Sequence, residues 1–203
     1  MNRQLATVGV VLAAGGSSRL GFPKQLVRFR GRPLIVHAVE QLKQTDVDSI
    51  YVVIGAAESN MRAALTPSVL PMRNILVNPD WRSGQASSLT TAVRSLRKRT
   101  AMLGKLVVML CDQPWINGSH LQSLISGVDD RTICCCTRYP DGGGVPACFH
   151  ADRLEDLLQH LETGGAKRWI RQQSDSVCRQ VISPGGTMDI DYPEDVERFQ
   201  LEY

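Results

Sequence analysis

The stretch Val10-Val11-Leu12-Ala13-Ala14-Gly15-Gly16-Ser17-Ser18-Arg19-Leu20-Gly21-Phe22-Pro23-Lys24 decides how this chain is read. It leaves an apolar, β-prone segment, Thr7–Leu12, and turns at once to small residues and glycines. Backbone N–H groups without bulky neighbours can close around phosphate oxygens, and Arg19 and Lys24 add positive charge to the same spot. The expectation is a strand followed by a loop that grips a nucleoside triphosphate through Leu12, Ala13, Ala14, Gly15, Gly16, Ser17, Ser18, Arg19 and Lys24. The alternative is a flexible Gly/Ser turn after a first strand. Two better-known phosphate loops do not fit. The glycines at 15, 16 and 21 miss the G-x-G-x-x-G dinucleotide spacing. Gly16 and Gly21 have the Walker A gap, but Phe22-Pro23 stand where Lys-Ser/Thr belongs, and Pro23 discourages a helix running on from Gly21.

Outward from this loop, strands and helices alternate. Helices are expected at Pro33–Leu42, Glu58–Leu65, Gln85–Lys98 and Ser119–Ser126, and strands at Ile50–Ile54, Asn74–Val77, Leu106–Leu110 and Thr132–Thr137. Leu106–Leu110 is a continuous apolar run, as a central strand covered on both faces requires. Arg138–Pro146, with Pro140 and three glycines, is expected to interrupt the sheet as a surface loop that contacts substrate, before Ala147–Phe149 resumes it. Two helices (Asp152–Leu161 and Ala166–Gln173), a strand at Val177–Ile182 and a closing helix at Pro193–Leu201 complete the pattern. The fold expected is a single-domain Rossmann-like three-layer α/β/α architecture with a mostly parallel sheet, over residues 1–203.

Composition narrows the function. A chain of 203 residues, 43% hydrophobic and 21% charged, has room for a buried core. A net charge of +3 is too mild to argue for nucleic acid, and the basic run Arg94–Arg99 reads as a helix end lacking interleaved aromatics. No apolar run has the length of a membrane span or of a signal-peptide core, so the expectation is a cytoplasmic enzyme that binds neither nucleic acid nor membrane. The six cysteines match no zinc spacing, and Cys134, Cys135 and Cys136 read as buried reduced thiols alternating across a strand.

Three further segments carry chemistry. Asp112 follows the strand Leu106–Leu110, at the carboxyl edge where ligands bind in open α/β sheets, and is placed to hold Mg²⁺ or Mn²⁺ beside a triphosphate. A helix or turn cap is its alternative role. In Asp189-Ile190-Asp191 the two carboxylates fall on one side if the segment is extended, and Asp191 can complete the metal site or cap the helix starting at Pro193. In Asn78–Leu89, Asn78, Gly84, Ser87 and Ser88 either contact the nucleotide, with Gly84 allowing close backbone approach, or simply cap a helix with Trp81 packed over it.

Taken in order, these segments resemble the MobA-like nucleotidyltransferase family. The matching residues are Leu12-Ala13-Ala14-Gly15-x-Ser17-x-Arg19-x-Gly21-x-x-Lys24-Gln25-Leu26, Asn78-Pro79-x-Trp81-x-x-Gly84-x-x-x-Ser88-Leu89, Cys111-Asp112-Gln113-Pro114, Gly144-x-Pro146 and Asp189-Ile190-Asp191-x-Pro193-Glu194-Asp195. The branch most similar is that of molybdenum cofactor cytidylyltransferases, with the nucleotide-diphospho-sugar transferase type of fold. One stretch departs: where that branch carries Gly-Asp-x-Gly-Ala-Arg, this chain has Glu162-Thr163-Gly164-Gly165-Ala166-Lys167, which bears on the acceptor side of the reaction.

The resemblance implies transfer of CMP from CTP to the phosphate of molybdenum cofactor, with release of pyrophosphate. Mg²⁺ (or Mn²⁺) would sit on Asp112 and Asp191, Arg19, Lys24 and Asp112 would be catalytic, and a molybdenum hydroxylase apoenzyme would be the eventual recipient. Ala14 stands where the guanylyl-transferring branch has Gly. Its methyl narrows the base pocket and favours cytosine by roughly 1–3 kcal/mol. The four histidines, His37, His120, His150 and His160, read as structural. Three other readings remain: a nucleotidyltransferase for another phosphate acceptor or using GTP, an NAD(P)H-dependent reductase of a nicotine-derived pigment, and a non-catalytic maturation factor.

Overall fold

The computed structural model describes residues 5–100, 102–183 and 189–199, apart from the side chains of Glu162 and Thr163. Strand β1 (Ala6–Leu12) is followed by the glycine-rich loop and a single 3₁₀ turn at Lys24–Leu26. A small ribbon, β2 (Arg28–Phe29) and β3 (Arg32–Pro33), leads into α1 (Leu34–Leu42). Then come β4 (Ser49–Ile54), α2 (Glu58–Ala64), β5 (Ile75–Val77), α3 (Gln85–Arg99), β6 (Leu103–Leu110) and α4 (Gly118–Ser126). The second half holds β7 (Cys134–Tyr139), β8 (Gly142–His150), α5 (Leu154–Gln172), β9 (Cys178–Ile182) and α6 (Pro193–Arg198).

Seven strands form one sheet in the order β5-β4-β1-β6-β8-β7-β9. Pairings β4–β5, β1–β4, β1–β6 and β7–β9 are parallel, whereas β8 runs antiparallel to both β6 and β7. The period of two along β1 sorts its side chains cleanly. Val8, Val10 and Leu12 pack with α3 and α5 residues such as Leu89, Leu96, Leu157 and Trp169. Val11 and Ala13 pack with α1 and α4 residues such as Ile35, Leu42 and Leu121. The cysteines obey the same rule: Cys134 and Cys136 lie in the first layer and Cys135 and Cys148 in the second, all buried and unbridged. Among the described residues no helix is long and apolar enough to cross a membrane.

One expectation is corrected. Arg138–Pro146 is not a loop interrupting the sheet but most of the β7–β8 hairpin, turning at Pro140-Asp141. Its glycines serve close packing as well as the turn: Gly142 has φ +108°, and a Cβ on Gly143 would stand 2.8 Å from the Cys136 sulfur. The two expected helices after His150 are both present: α5 is two helical segments that meet at Gly165, whose backbone is non-helical with φ +71°. The last residues of the expected closing helix, 200–201, lie outside the described residues.

His120 and His37 are held neutral inside this frame. The His120 Nε2 lies 2.8 Å from Thr137 Oγ1, whose hydroxyl already donates to the Pro146 carbonyl, so the imidazole donates. His37 Nε2 donates to the Pro114 carbonyl at 3.0 Å. Burial lowers the pKa of both. Because the folded values lie below the unfolded ones, the unfolded chain binds protons that the folded chain refuses once the pH drops below the unfolded value. Stability should therefore be flat above neutrality and fall as pH drops from 7 toward 5. Thermal unfolding of His120→Gln should show a shallower fall over that range, and an unchanged slope would count against this origin.

Candidate active site

Strand register brings the site together. Leu12 of β1 pairs with Leu110 of β6, so the loop that starts at Ala13 and the Cys111-Asp112 step leave the sheet side by side. The β5–α3 connection arrives on the same edge, because β5 is parallel to β4 and β4 to β1. Between these three segments lies a cavity of about 160 Å³. Leu12, Ala13, Ala14, Gly15, Lys24 and Gln25 form one wall, Trp81, Gly84, Gln85 and Ser88 the second, and Leu110, Cys111 and Asp112 the floor.

The glycine loop is shaped rather than slack. Ser17 adopts φ +51° and Gly21 φ +81°. The Ser17 hydroxyl accepts the Lys24 backbone N–H at 3.0 Å, closing the loop on itself. Gln25, only 1% exposed, donates its amide to the carbonyls of Ala13 (2.9 Å) and Gly15 (2.7 Å) and so braces the loop from beneath. A Cβ on Gly16 would meet the Trp81 ring at 2.7 Å, and one on Gly55 would meet Trp81 at 2.7 Å and the Ala14 methyl at 3.0 Å. Trp81 therefore lies across both glycines as part of the cavity wall, and Arg82 stacks on its outer face with 4.3 Å between guanidinium and ring centroid. Gly15 lines the cavity and is exposed, as are Gly16 and Ser18, which are not among its lining residues.

The charged centre is a lysine between two carboxylates. Lys24 Nζ bonds Asp112 Oδ2 and also donates to Asp191 Oδ1 at 2.8 Å. Arg19 approaches Asp191 Oδ2 at 3.8 Å and lies over the Tyr192 ring; its side chain is 62% exposed, so it guards the rim rather than lining the cavity. Burial alone would lower the Lys24 pKa, but the adjacent Asp112 charge and the hydrogen bonds to Asp112 and Asp191 outweigh it and hold the ammonium above the usual lysine range. Burial, followed by the Asp112 charge, pushes the Cys111 thiol up, leaving it an inert apolar neighbour.

Neither aspartate caps a helix. Asn117 caps α4 by accepting the His120 N–H, and at α6 the Asp195 carboxylate takes the backbone N–H groups of Asp191 and Tyr192. Asp191 is thereby left free to face Lys24, while Ile190 N–H to Asp112 O (3.0 Å) staples its segment to the end of β6. Asp189 is directed elsewhere, accepting from Gln113 Nε2 at 3.0 Å. Burial, then the Asp112 charge, raises its pKa.

The Asn78–Leu89 segment is divided between fixing the start of α3 and forming the cavity wall. Asn78 Nδ2 donates to Ser87 Oγ (2.8 Å) and Ser88 Oγ (3.0 Å), and Ser87 Oγ also lies 2.7 Å from the Gly84 carbonyl. Asn78 and Ser87 thus bond each other at the start of α3 and are not among the residues that line the cavity. Gly84 (φ +97°) and Ser88 do line it. Gln25 entered the sequence reading only as part of the family motif and Gln85 only as the start of a helix, since an internal glutamine carries no pattern that marks it as a brace or a wall.

The residues suit a hard divalent cation. Asp112 is 9% exposed, and its Oδ1 has no hydrogen-bond partner among the described residues. An orphaned carboxylate oxygen beside a second carboxylate is the donor set magnesium or manganese uses when phosphates and water fill the rest of the shell. Among the described residues there is no cluster of three or more His, Cys, Asp or Glu that would hold such an ion without substrate.

A second cavity of about 240 Å³ adjoins the first, sharing Gln85 and Leu110 with it. Gln113, Tyr139, Val145, Asp189 and, at the rim, the Lys167–Asp141 ion pair (2.6 Å) line it. Lys167 is the basic residue of the departing stretch; the Thr163 side chain lies outside what is described.

The fold is shared with a solved nucleotidyl transferase, at 22% identity and a TM-score of 0.79. Residues 9–177 match the MobA-like NTP transferase domain, and the chain belongs to that family. It is similar to nicotine blue oxidoreductase of Paenarthrobacter nicotinovorans, 36% identical over 58% of this chain and 54% of that protein, so it spans about half that relative's length. It is also similar to a probable molybdenum cofactor guanylyltransferase of Thermococcus sibiricus, 27% identical over 77% of this chain and 75% of that one. Among solved structures it resembles Rv0371c of Mycobacterium tuberculosis H37Rv at 29% identity and a TM-score of 0.79, covering 96% and 97% of the two chains. A manganese complex of Rv0371c is similar at 26% identity and a TM-score of 0.74, over 96% of this chain and 97% of that one.

Proposed function

We propose that residues 1–203 work as one nucleotidyltransferase domain that moves CMP from CTP to the phosphate of molybdenum cofactor, releasing pyrophosphate, in support of a molybdenum hydroxylase. The observation that carries the proposal is Lys24 set between Asp112 and Asp191 at the mouth of the glycine-loop cavity. An oxygen of the acceptor phosphate attacks the α-phosphorus of CTP, the bond to the bridging oxygen breaks, and pyrophosphate departs with that electron pair. A phosphate monoester is already anionic at neutral pH, so the site needs no strong base, and neither cavity is lined by a histidine. What it needs is alignment and charge neutralisation. Lys24 and Arg19 place cations at the polyphosphate; the exposed backbone of Gly15, Gly16 and Ser18 supplies N–H donors. Asp112 Oδ1 and Asp191 would hold Mg²⁺ or Mn²⁺, which supplies Lewis-acid screening of the phosphate charge. Trp81 and the Ala14 methyl, packed against Gly55, narrow the side of the cavity available to the base, which favours cytosine.

The test is pyrophosphate release with each nucleoside triphosphate, with and without molybdenum cofactor. CTP should be preferred, and Ala14→Gly should raise the GTP rate relative to CTP by about tenfold. A GTP preference in the parent protein would defeat the cytidylyl assignment. The identity to nicotine blue oxidoreductase favours a second reading, pigment reduction by a nicotinamide cofactor. Tight NADPH binding without CTP binding would establish it instead.

A further inference from the structure

The two carboxylates that face Lys24 are anchored in different ways. Asp112 follows closely on the end of β6, whereas Asp191 stands in an irregular segment that leads into α6. Outside a sheet, a residue's direction is set by where its backbone hydrogen bonds go. On one side, the Ile190 N–H bonds the Asp112 carbonyl at 3.0 Å, and the Ile190 side chain is buried with Leu20, Val27, Phe29 and Leu34. On the other, one oxygen, Asp195 Oδ2, accepts the N–H of Asp191 at 2.9 Å and that of Tyr192 at 2.8 Å. The Asp195 N–H donates in turn to the Tyr192 carbonyl at 3.0 Å, so one residue grips Tyr192 at both ends. Held in this way, Asp191 offers Oδ1 to Lys24 at 2.8 Å and sets Oδ2 3.8 Å from Arg19, which also lies over the Tyr192 ring. Asp195 itself lines neither cavity.

We infer that Asp195 is a positioning residue for the divalent-cation site: by accepting the Asp191 N–H it fixes the direction of the Asp191 carboxylate, without meeting the ion itself. The inference rests on the nucleotidyl-transfer reading, in which Asp112 and Asp191 share the ion, and it adds a residue on which that pair depends. Asp195 acts through geometry and not through charge. What the segment requires is an acceptor oxygen at that place, and an asparagine amide supplies one as well as a carboxylate does.

The experiment titrates Mn²⁺ alone into the full chain, with free ion read by electron paramagnetic resonance, and measures CTP affinity calorimetrically on the same preparations. Asp195→Ala removes the acceptor and should bind Mn²⁺ at least about tenfold more weakly than the parent, the scale on which partners of metal ligands act. Asp195→Asn loses the charge, keeps the oxygen and should stay within about threefold of the parent. In an Asp191→Asn background, Asp195→Ala should change Mn²⁺ affinity by less than about twofold, because no carboxylate is left to aim. A simple helix-capping role would lower the thermal midpoint of Asp195→Ala and leave its Mn²⁺ affinity unchanged, which would overturn the inference. Equal losses in Asp195→Asn and Asp195→Ala would make charge the cause and overturn it too, as would an undiminished effect in the Asp191→Asn background or no Mn²⁺ binding by the parent. If Asp195→Ala does not fold, Asp195→Ser, whose oxygen stops one bond short of the two N–H groups, takes its place with the same expectation. An Asp195-dependent Mn²⁺ site in a chain that binds no CTP would leave the role of Asp195 standing and remove the nucleotidyl-transfer reading.

Discussion

Asp112→Asn should slow nucleotidyl transfer by about 10³-fold or more, with only a modest loss of stability. The carboxylate has two jobs on two oxygens. Oδ2 neutralises Lys24, and Oδ1, buried and without a partner among the described residues, is the atom offered to a divalent ion. Asparagine can keep one oxygen toward the ammonium, but its amide NH₂ then occupies the cation side and repels a metal. The local packing survives, and Asp191 still neutralises Lys24, so unfolding should move by about 1–2 kcal/mol rather than the larger cost of stranding a buried charge. Steady-state pyrophosphate release, paired with thermal unfolding, checks both halves. Turnover within tenfold of the parent would show that Asp112 is not at the reacting centre.

Lys24→Met should act in two opposite directions. Turnover should drop by at least about 10²-fold, because the cavity loses the one lysine or arginine among the described residues that lines it, while Arg19 remains at the exposed rim. Manganese binding without nucleotide should become about tenfold tighter. In the parent a single ammonium bonds Asp112 and Asp191 together, and a metal must compete with it for the same two carboxylates. Removing that charge leaves two carboxylates whose mutual repulsion only Arg19, 3.8 Å from Asp191, relieves. Free Mn²⁺ measured by electron paramagnetic resonance during titration reads this directly. An unchanged or weaker manganese affinity would mean that Lys24 does not compete with the metal for the two carboxylates. The opposed signs matter, since a merely misfolded variant would lose both properties.

The sequence determined the alternation of strands and helices, and with it the parallel core of the sheet, because the apolar, β-prone segment Thr7–Leu12 and the unbroken apolar run Leu106–Leu110 admit few other placements. It also marked the glycine loop, Arg19, Lys24 and Asp112 as one edge, through the rule that ligands gather beyond strand ends. Tertiary structure decided what local pattern leaves open. Arg138–Pro146 carries turn residues throughout, and the pairing of Thr137–Tyr139 with Gly142–Gly144, with Gly143 close against Cys136, makes it a hairpin. Asp191 was equally suited to capping a helix or facing a metal, and the choice fell to Asp195, which took the cap four residues later. Asn78 and Ser87, polar and well placed, turned toward each other. Gln25 and Gln113 became a brace and an unpaired acceptor through contacts with residues up to 76 positions away. A hydrogen bond's partner is chosen by what the folded chain brings within about 3 Å, and residue type and spacing alone do not contain that information.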